Sequence, residues 1–124
     1  MVDAKGFYAK WKVVAGGGSG NAASSGLIKS PNYPKPYPAN VDKLYNLEVA
    51  TGSKIELTFT EFDVEHEENC GYDWVEVKDG KNSQKYCGNT KPSVITSTSN
   101  KLQVKFHSDY YLNTKGFTAT WKKV

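Results

Sequence analysis

An unusual density of carboxylates marks the stretch from Glu61 to Val77. Seven of the chain's 13 acidic residues fall within this stretch, although the protein as a whole carries a net charge of +3. They are Glu61, Asp63, Glu65, Glu67, Glu68, Asp73 and Glu76. Like charges this close together repel one another and cost stability unless something screens or binds them. The stretch therefore points to the binding of a cation.

The alternative interpretation is a solvated acidic loop, which is the more common role of a charge run. Apolar side chains interleave with the carboxylates, however, and this favours folded structure. These side chains are Phe62, Val64, Tyr72, Trp74 and Val75. The stretch also contains Cys70, one of only two cysteines. We therefore prefer a folded element whose charge is neutralised by a bound ion.

Cys70 and Cys87 admit two interpretations, a disulfide or a pair of free thiols. Neither cysteine lies in a Cys-x-x-Cys pair, which argues against a zinc site. A disulfide is favoured, and in the chain-entropy model its loop would contribute about 3 kcal/mol of stability. Such a bond predicts an oxidising, extracellular environment.

The composition argues against several classes of function. All 16 basic residues are lysines and the net charge is small, so we expect no nucleic-acid partner. No apolar run is long enough to span a membrane. Paired carboxylates could suggest a glycosidase, but the chain lacks the Gly-x-Ser-x-Gly and His-Glu-x-x-His motifs and no pocket-forming motif accompanies the acids. We therefore expect the chain not to be an enzyme.

Hydrophobic alternation with a period of two, the pattern of a β-strand, recurs along the chain. In the strongest case Ile55–Phe59 alternate, but the next apolar residue, Phe62, is one position out of phase. A change of phase requires a bulge, which we place at Thr60–Glu61. Further strands are predicted at Leu44–Val49, Tyr72–Lys78, around Val104 and at Gly116–Val124. Since no segment shows a sustained helical period, the sequence predicts an all-β fold, a β-sandwich of two antiparallel sheets.

The two ends of the chain carry nearly the same sequence. KGFYAKWKVV at residues 5–14 and KGFTATWKKV at residues 115–124 agree at seven of ten positions. We interpret residues 1–14 as the last strand of a preceding copy of the domain, residues 15–26 as a Gly/Ser-rich linker and domain start, and residues 27–124 as the domain. The alternative is that both ends are edge strands of one sheet. If the two segments compete for one position, one of them could be swapped into a second molecule.

Three pieces of the sequence together resemble the CUB module. They are SPNYPKPYP near the start, CGYDWVEVKDG followed by YCG in the middle, and KLQVKFHSD before a closing GFTATW. The resemblance implies a jelly-roll-like β-sandwich from secreted or extracellular proteins, where it serves as a binding module, often in tandem or beside a protease. A typical module has four cysteines, but Ala15 and Lys43 stand at the first two positions. The resemblance leaves the second pair, Cys70 and Cys87, to form the disulfide.

The calcium-binding branch of the CUB family implies a set of metal ligands. Glu65, Asp73 and Asp109 stand at the positions of its three carboxylate ligands. The resemblance adds the main-chain carbonyl of Tyr111 as a fourth ligand and a hydrogen bond from Tyr37 to the glutamate. Calcium takes six to eight oxygen ligands, so this set suits it. The remaining residues are expected to be solvated or supporting acids, namely Glu61, Asp63, Glu67 and Glu68, or bystanders, namely His66 and His107.

The resemblance implies binding rather than catalysis. Calcium-binding CUB modules accept a lysine of a partner on carboxylates that also touch the metal, and this assigns lysine binding to Glu65, Asp73 and Asp109 with Tyr37 beside them. We therefore expect a secreted, calcium-dependent protein–protein interaction module whose partner presents a lysine, and the repeat at the two ends adds a tandem CUB neighbour as a second expected partner. Two alternatives stay open, a structural spacer within a secreted protease and a spermadhesin-like glycan-binding module. The second would use exposed aromatic rings, namely Tyr8, Tyr33, Tyr110 and Tyr111.

Overall fold

A computed structural model describes residues 23–110 and 114–124, and within them the regular structure consists of β-strands alone. In chain order the strands are β1 (Ser25–Lys29), β2 (Asp42–Glu48), β3 (Ile55–Asp63), β4 (Trp74–Asp79), β5 (Asn82–Tyr86), β6 (Ile95–Thr96), β7 (Lys101–His107) and β8 (Gly116–Lys123). The all-β prediction is confirmed. No helical segment of the described residues has the length and hydropathy that crossing a bilayer requires.

The strands form two antiparallel sheets of four strands each. The first sheet has the order β1-β8-β3-β6, and the second has the order β2-β7-β4-β5. Every ladder in both sheets is antiparallel. The predicted β-sandwich is therefore confirmed. β8, near the C-terminus, lies between β1 and β3 and so closes the first sheet.

The core lies between the facing surfaces of the two sheets, because alternation turns every second side chain inward. Along β7, Leu102, Val104 and Phe106 are buried while the residues between them are exposed. In β3 the register with β8 shifts between Phe59 and Glu61, which confirms the predicted bulge and returns the next apolar residue to the core.

Two elements at the edges of the sheets differ from the sequence prediction. β6 was not predicted, because two residues paired with Glu56 and Leu57 are too few to show a period. β5 also gives no signal in the sequence, since NSQKY lacks apolar alternation and most of its side chains are exposed. The predicted strand at residues 1–14 lies outside the described residues. β1 begins at Ser25, inside the segment interpreted as linker and domain start.

Candidate metal centre

Three loops bring three carboxylates together at one end of the sandwich. Glu65 follows β3, Asp73 precedes β4 and Asp109 follows β7. One carboxylate oxygen from each lies within 4.8 Å of the other two, an arrangement that only this trio has within residues 23–110 and 114–124. These are the three residues that the family resemblance assigns as carboxylate ligands. Tyr111, the fourth assigned ligand, lies outside the described residues.

Two links hold the acidic loop between β3 and β4. Val64 and Gly88 exchange backbone hydrogen bonds of 2.9 and 2.8 Å. A disulfide joins Cys70 to Cys87, and their Cα atoms are 5.6 Å apart. Because Cys87 and Gly88 are neighbours, the segment after β5 holds the loop at two points. The disulfide, preferred over free thiols on the sequence, is thus formed, and it restrains the loop that carries the candidate ligands.

Glu67 shapes the same loop and is not merely solvated. Its Oε1 accepts hydrogen bonds from the backbone N–H groups of Asn69 at 2.9 Å and Gly71 at 2.7 Å. Its carbonyl oxygen accepts the N–H of Cys70 at 2.8 Å. The carboxylate therefore satisfies backbone donors of a tight turn. The sequence offered only a weak signal for this role, an acidic residue shortly before an Asn and a Gly.

Tyr37 lies in the core, with 1% of its surface exposed, and its hydroxyl connects two residues of the trio. Its hydroxyl donates to Asp73 Oδ2 at 2.5 Å and accepts the backbone N–H of Glu65 at 3.1 Å. The expected hydrogen bond to the glutamate thus reaches the backbone of Glu65, while the carboxylate that receives the proton belongs to Asp73. A phenol has one proton to donate, so it orients one carboxylate, and here that carboxylate is the fully buried one.

Asp73 uses both of its oxygens within the fold. While Oδ2 accepts from Tyr37, Oδ1 accepts the backbone N–H of Asp109 at 2.8 Å. The side chain is completely buried. Because each oxygen has a fixed donor, the direction of the carboxylate is set before any ligand binds. The backbone of Asp109 is held at two points, since its N–H donates to Asp73 and its carbonyl accepts the N–H of Asn40 at 2.8 Å.

The trio carries more negative charge than the surrounding protein compensates. Burial, and then the charges of Asp73 and Asp109, raise the pKa of Glu65 above its ordinary value. Burial also raises the pKa of Asp73, against the opposing effect of its hydrogen bonds from Tyr37 and the Asp109 N–H. Burial, and then the hydrogen bond to Asp73, raise the pKa of Tyr37 to about 12. A bound cation would lower the pKa of Glu65 and of Asp73 by favouring the ionised carboxylates.

One oxygen of the trio lacks a protein partner. Glu65 Oε1 is buried and contacts no hydrogen-bond partner among the described residues. A buried acceptor left without a partner costs about 1–3 kcal/mol, and more when it is charged. Hard cations such as Ca²⁺ bind carboxylate oxygens directly. The donor set and this orphaned oxygen therefore fit a calcium ion.

Several other residues of interest lie outside the trio. His107 is on the outer face of the second sheet, where its Nδ1 is 2.8 Å from Asp42 Oδ1 and its ring stacks on Trp74 with centroids 4.1 Å apart. The hydrogen bond to His107 lowers the pKa of the Asp42 carboxyl. Glu61 lies 3.4 Å from Lys115 Nζ in an exposed ion pair. Each of these groups has a partner outside the trio, so we assign none of them to the candidate metal site.

Replacing Tyr37 with phenylalanine should lower the free energy of unfolding by about 1–3 kcal/mol, because Asp73 Oδ2 loses its donor and the Glu65 N–H loses its acceptor in a buried place. Chemical denaturation measures the loss. Tyr45→Phe is the matched control, since it removes a single hydroxyl that donates to the Lys29 carbonyl at an exposed site. Equal losses in the two variants would contradict a special role for Tyr37.

The CUB domain family matches residues 17–121 of the chain. Human tolloid-like protein 2 is 37% identical over 124 residues, a match that covers 96% of this chain and 12% of that protein. Protein SpAN of Strongylocentrotus purpuratus is 48% identical over 100 residues, which covers 78% of this chain and 16% of that protein. The chain thus spans a small part of these relatives.

Solved structures extend the likeness to three dimensions. The CUB2 domain of MASP-1, in a crystal structure bound to Ca²⁺, has a TM-score of 0.77 and 31% sequence identity to the chain. The match covers 84% of this chain and 98% of that one. The chain belongs to the CUB domain family, whose members are non-catalytic modules of extracellular proteins and generally mediate protein–protein interactions.

Proposed function

We propose that this CUB domain is a calcium-dependent protein–protein interaction module that binds a lysine of its partner at the carboxylates of Glu65, Asp73 and Asp109. The observation that carries the proposal is the convergence of these three carboxylates around a buried oxygen of Glu65 that has no hydrogen-bond partner within the described residues. The related MASP-1 CUB2 domain, whose structure is bound to Ca²⁺, supports the choice of metal.

Glu65, Asp73 and Asp109 would hold the ion through their side chains. Calcium takes six to eight oxygens in flexible geometry, so the carbonyl of Tyr111 and water molecules would complete the set. Magnesium demands a tight octahedron and gives up its water reluctantly, which suits a site assembled from three separate loops less well. Tyr37 and the backbone N–H of Asp109 would fix the rotamer of Asp73 in the bound state as they do here.

The charge balance of the occupied site favours a cationic partner group. Three ionised carboxylates carry three negative charges, and one Ca²⁺ neutralises two of them, so one negative charge is left. A lysine ammonium is a compact cation that can donate to carboxylates held in place by the metal. Asp109 is partly exposed, and Tyr110 beside it has 81% of its surface exposed. That ring can cover the aliphatic stem of the incoming lysine.

Calcium should stabilise the protein more at about pH 7.5 than at about pH 5, because protons and calcium compete for the same carboxylates. In the metal-free fold the pKa values of Glu65 and Asp73 are raised. These groups therefore contribute stability below their folded pKa values, and this contribution is lost as the pH rises through them. Thermal melts with calcium and with EDTA across this pH range measure the difference. A calcium-induced rise in melting temperature that is equal at both ends of the pH range, or larger at the acidic end, would contradict the competition between protons and calcium.

A small lysine probe tests the partner site directly. In a ¹⁵N–¹H spectrum of the calcium-saturated protein, Nα-acetyl-lysine methylamide should shift the backbone amides of Asp109 and Tyr110. The same probe acetylated on Nε has no charge and should leave them in place, as should the charged probe when it is added to the metal-free protein in EDTA. Asp109→Asn should weaken the response, whereas Asp79→Asn, at the far end of β4, should not. Equal responses to the charged and the acetylated probe would rule out lysine recognition.

The glycan-binding alternative depends on four tyrosines predicted to be exposed. Tyr8 and Tyr111 lie outside the described residues. Tyr33 is half-buried, with Lys115 Nζ 5.9 Å from its ring centroid, while Tyr110 is exposed beside the carboxylates. One exposed ring offers a poor stacking platform, so the lysine proposal is preferred. Competition of methyl glycosides with the lysine probe would reverse that preference.

A further inference from the structure

The last residue pair of the ladder between β4 and β7 lies next to the carboxylate trio. Trp74 pairs with His107 at this end of the ladder. The neighbours Val75 and Phe106 are buried, so alternation places both rings on the outer face of the second sheet. Asp73 directly precedes Trp74, and two residues separate His107 from the position of the next ligand along β7. Contacts at this pair therefore act on the two strand ends that carry ligands of the trio.

The rings of Trp74 and His107 form a close stack across the two strands. Their centroids are 4.1 Å apart and their planes are inclined by 22°. The other ring pairs among the described residues meet edge to face. Aromatic pairs attract one another beyond what their buried area contributes, and cross-strand pairs are the units that hold neighbouring strands together. The stack therefore ties the end of β4 to the end of β7.

A charged group from an edge strand holds each ring on its other side. Lys85 Nζ on β5 lies 4.0 Å from the ring centroid of Trp74, within the range of a cation–π contact. Asp42 Oδ1 on β2 lies 2.8 Å from Nδ1 of His107. Because β7 and β4 lie between β2 and β5, these four side chains form a row across the whole sheet at the end beside the trio.

Beyond this pair, the connection between the two strand ends passes through a side chain. The ladder of β4 and β7 ends at residues 74 and 107, and the N–H of Asp109 then donates to Asp73 Oδ1 at 2.8 Å. The two carboxylates belong to a trio whose oxygens lie within 4.8 Å of one another, so their charges repel and favour separation of the strand ends. The stack opposes that separation.

We propose that Trp74 and His107 are positioning residues of the carboxylate trio. Their stack fixes the distance between the ends of β4 and β7, and it thereby keeps the Asp109 N–H on Asp73 Oδ1 before any cation binds. A site held ready in this way binds its ion without the cost of bringing separate loops together. The inference deepens the proposed function, and its consequence for calcium rests on that function. His107, expected from the sequence to be a bystander, then acts without touching the ion.

Two substitutions of His107 separate the effect of its ring from that of its hydrogen bond. His107→Phe keeps a ring that can stack on Trp74 but loses the contact with Asp42. His107→Asn keeps an N–H group that can donate to Asp42 but loses the ring. The side chain is 27% exposed, so both variants should fold. Gln103→Ala is the matched control, because Gln103 lies at the far end of the same ladder and also contacts β2, through Asn46 Oδ1 at 3.0 Å.

Hydrogen exchange in EDTA tests the positioning without calcium. In His107→Asn the amide of Asp109 should exchange about three- to tenfold faster than in the unchanged protein, a factor that corresponds to the strength of an aromatic pair. In His107→Phe and in Gln103→Ala it should exchange at the original rate. The amides of residues 103–105, in the middle of β7, should keep their rates in both variants of His107. Equal rates for Asp109 in His107→Asn and His107→Phe, or an equally large acceleration at residues 103–105, would overturn the proposal.

A calorimetric calcium titration of the same proteins tests the consequence for the ion. The dissociation constant should rise about three- to tenfold in His107→Asn and stay unchanged in His107→Phe and Gln103→Ala. Well below the melting temperature nearly every molecule is folded, so a general loss of stability would not change this constant. An unchanged constant in His107→Asn would refute the link between the stack and calcium. No binding by any of the proteins would refute the calcium site alone, because the exchange experiment contains no calcium and still decides on the positioning.

Discussion

Replacing Phe106 with alanine should lower the free energy of unfolding by about 3–5 kcal/mol. This is a large part of the roughly 5–15 kcal/mol that stabilises a typical domain. The ring is completely buried in β7, in edge-to-face contact with Tyr37 at 4.9 Å and Phe117 at 5.6 Å between centroids. Its removal leaves a cavity between the two sheets directly under the residue that supports Asp73. Denaturant unfolding monitored by fluorescence measures the loss.

Leu44→Ala is the control for this prediction. Leu44 lies on β2, in the strand that pairs with β7, but half of its surface is exposed. Its truncation removes apolar carbon atoms without opening a buried cavity, so the expected cost is within about 1 kcal/mol. Comparable losses for the two variants would mean that the space around Phe106 is not the packed core described above.

Replacing Asp73 with asparagine should abolish the stabilisation that calcium gives to the protein. The amide keeps one oxygen that can accept a hydrogen bond but removes the negative charge, and Ca²⁺ strongly prefers carboxylates. Because Asp73 accepts hydrogen bonds through both oxygens and the amide nitrogen can accept none, the melting temperature in EDTA should also fall. The rise on adding calcium should vanish. Ion binding to the native state raises the melting temperature by mass action, so a thermal shift reports it.

Asp79→Asn is the matched control, because Asp79 ends the strand that Asp73 precedes. Its carboxylate also accepts hydrogen bonds, from the backbone N–H of Thr98 at 3.0 Å and the hydroxyl of Thr98 at 3.1 Å. It lies outside the carboxylate trio. Its calcium shift should equal that of the unchanged protein. Loss of the shift in both variants would point to a diffuse effect of charge rather than to a site.

The strands and the bulge could be predicted because their signal is local. One face of β3 and one face of β7 are buried, so apolar residues recur at every second position of these strands. The bulge before Phe62 appears as a change of phase in this pattern. β6 could not be predicted, since its two residues pair only because Ile95 meets Leu57 in the folded sheet. A short edge strand takes its conformation from its neighbour and leaves no period of its own.

The carboxylate trio could be assembled from the sequence only through the family motifs. Asp73 and Asp109 are far apart along the chain, and no local pattern shows that the N–H of one donates to the carboxylate of the other. The Tyr37 hydroxyl donates to the most deeply buried carboxylate of the trio, and the sequence does not show which carboxylate that is. Glu67 was expected to be either a solvated or a supporting acid, because a carboxylate that caps a turn and one that faces water look alike in a sequence.

The most direct test of calcium binding by Glu65, Asp73 and Asp109 is a calorimetric titration of calcium into the metal-free protein. The expected result is a saturable isotherm with one ion per chain, kept in Asp79→Asn and lost in Asp73→Asn. Magnesium at the same concentrations should give a much weaker response. An isotherm that does not saturate, or one that survives in Asp73→Asn, would contradict the calcium site.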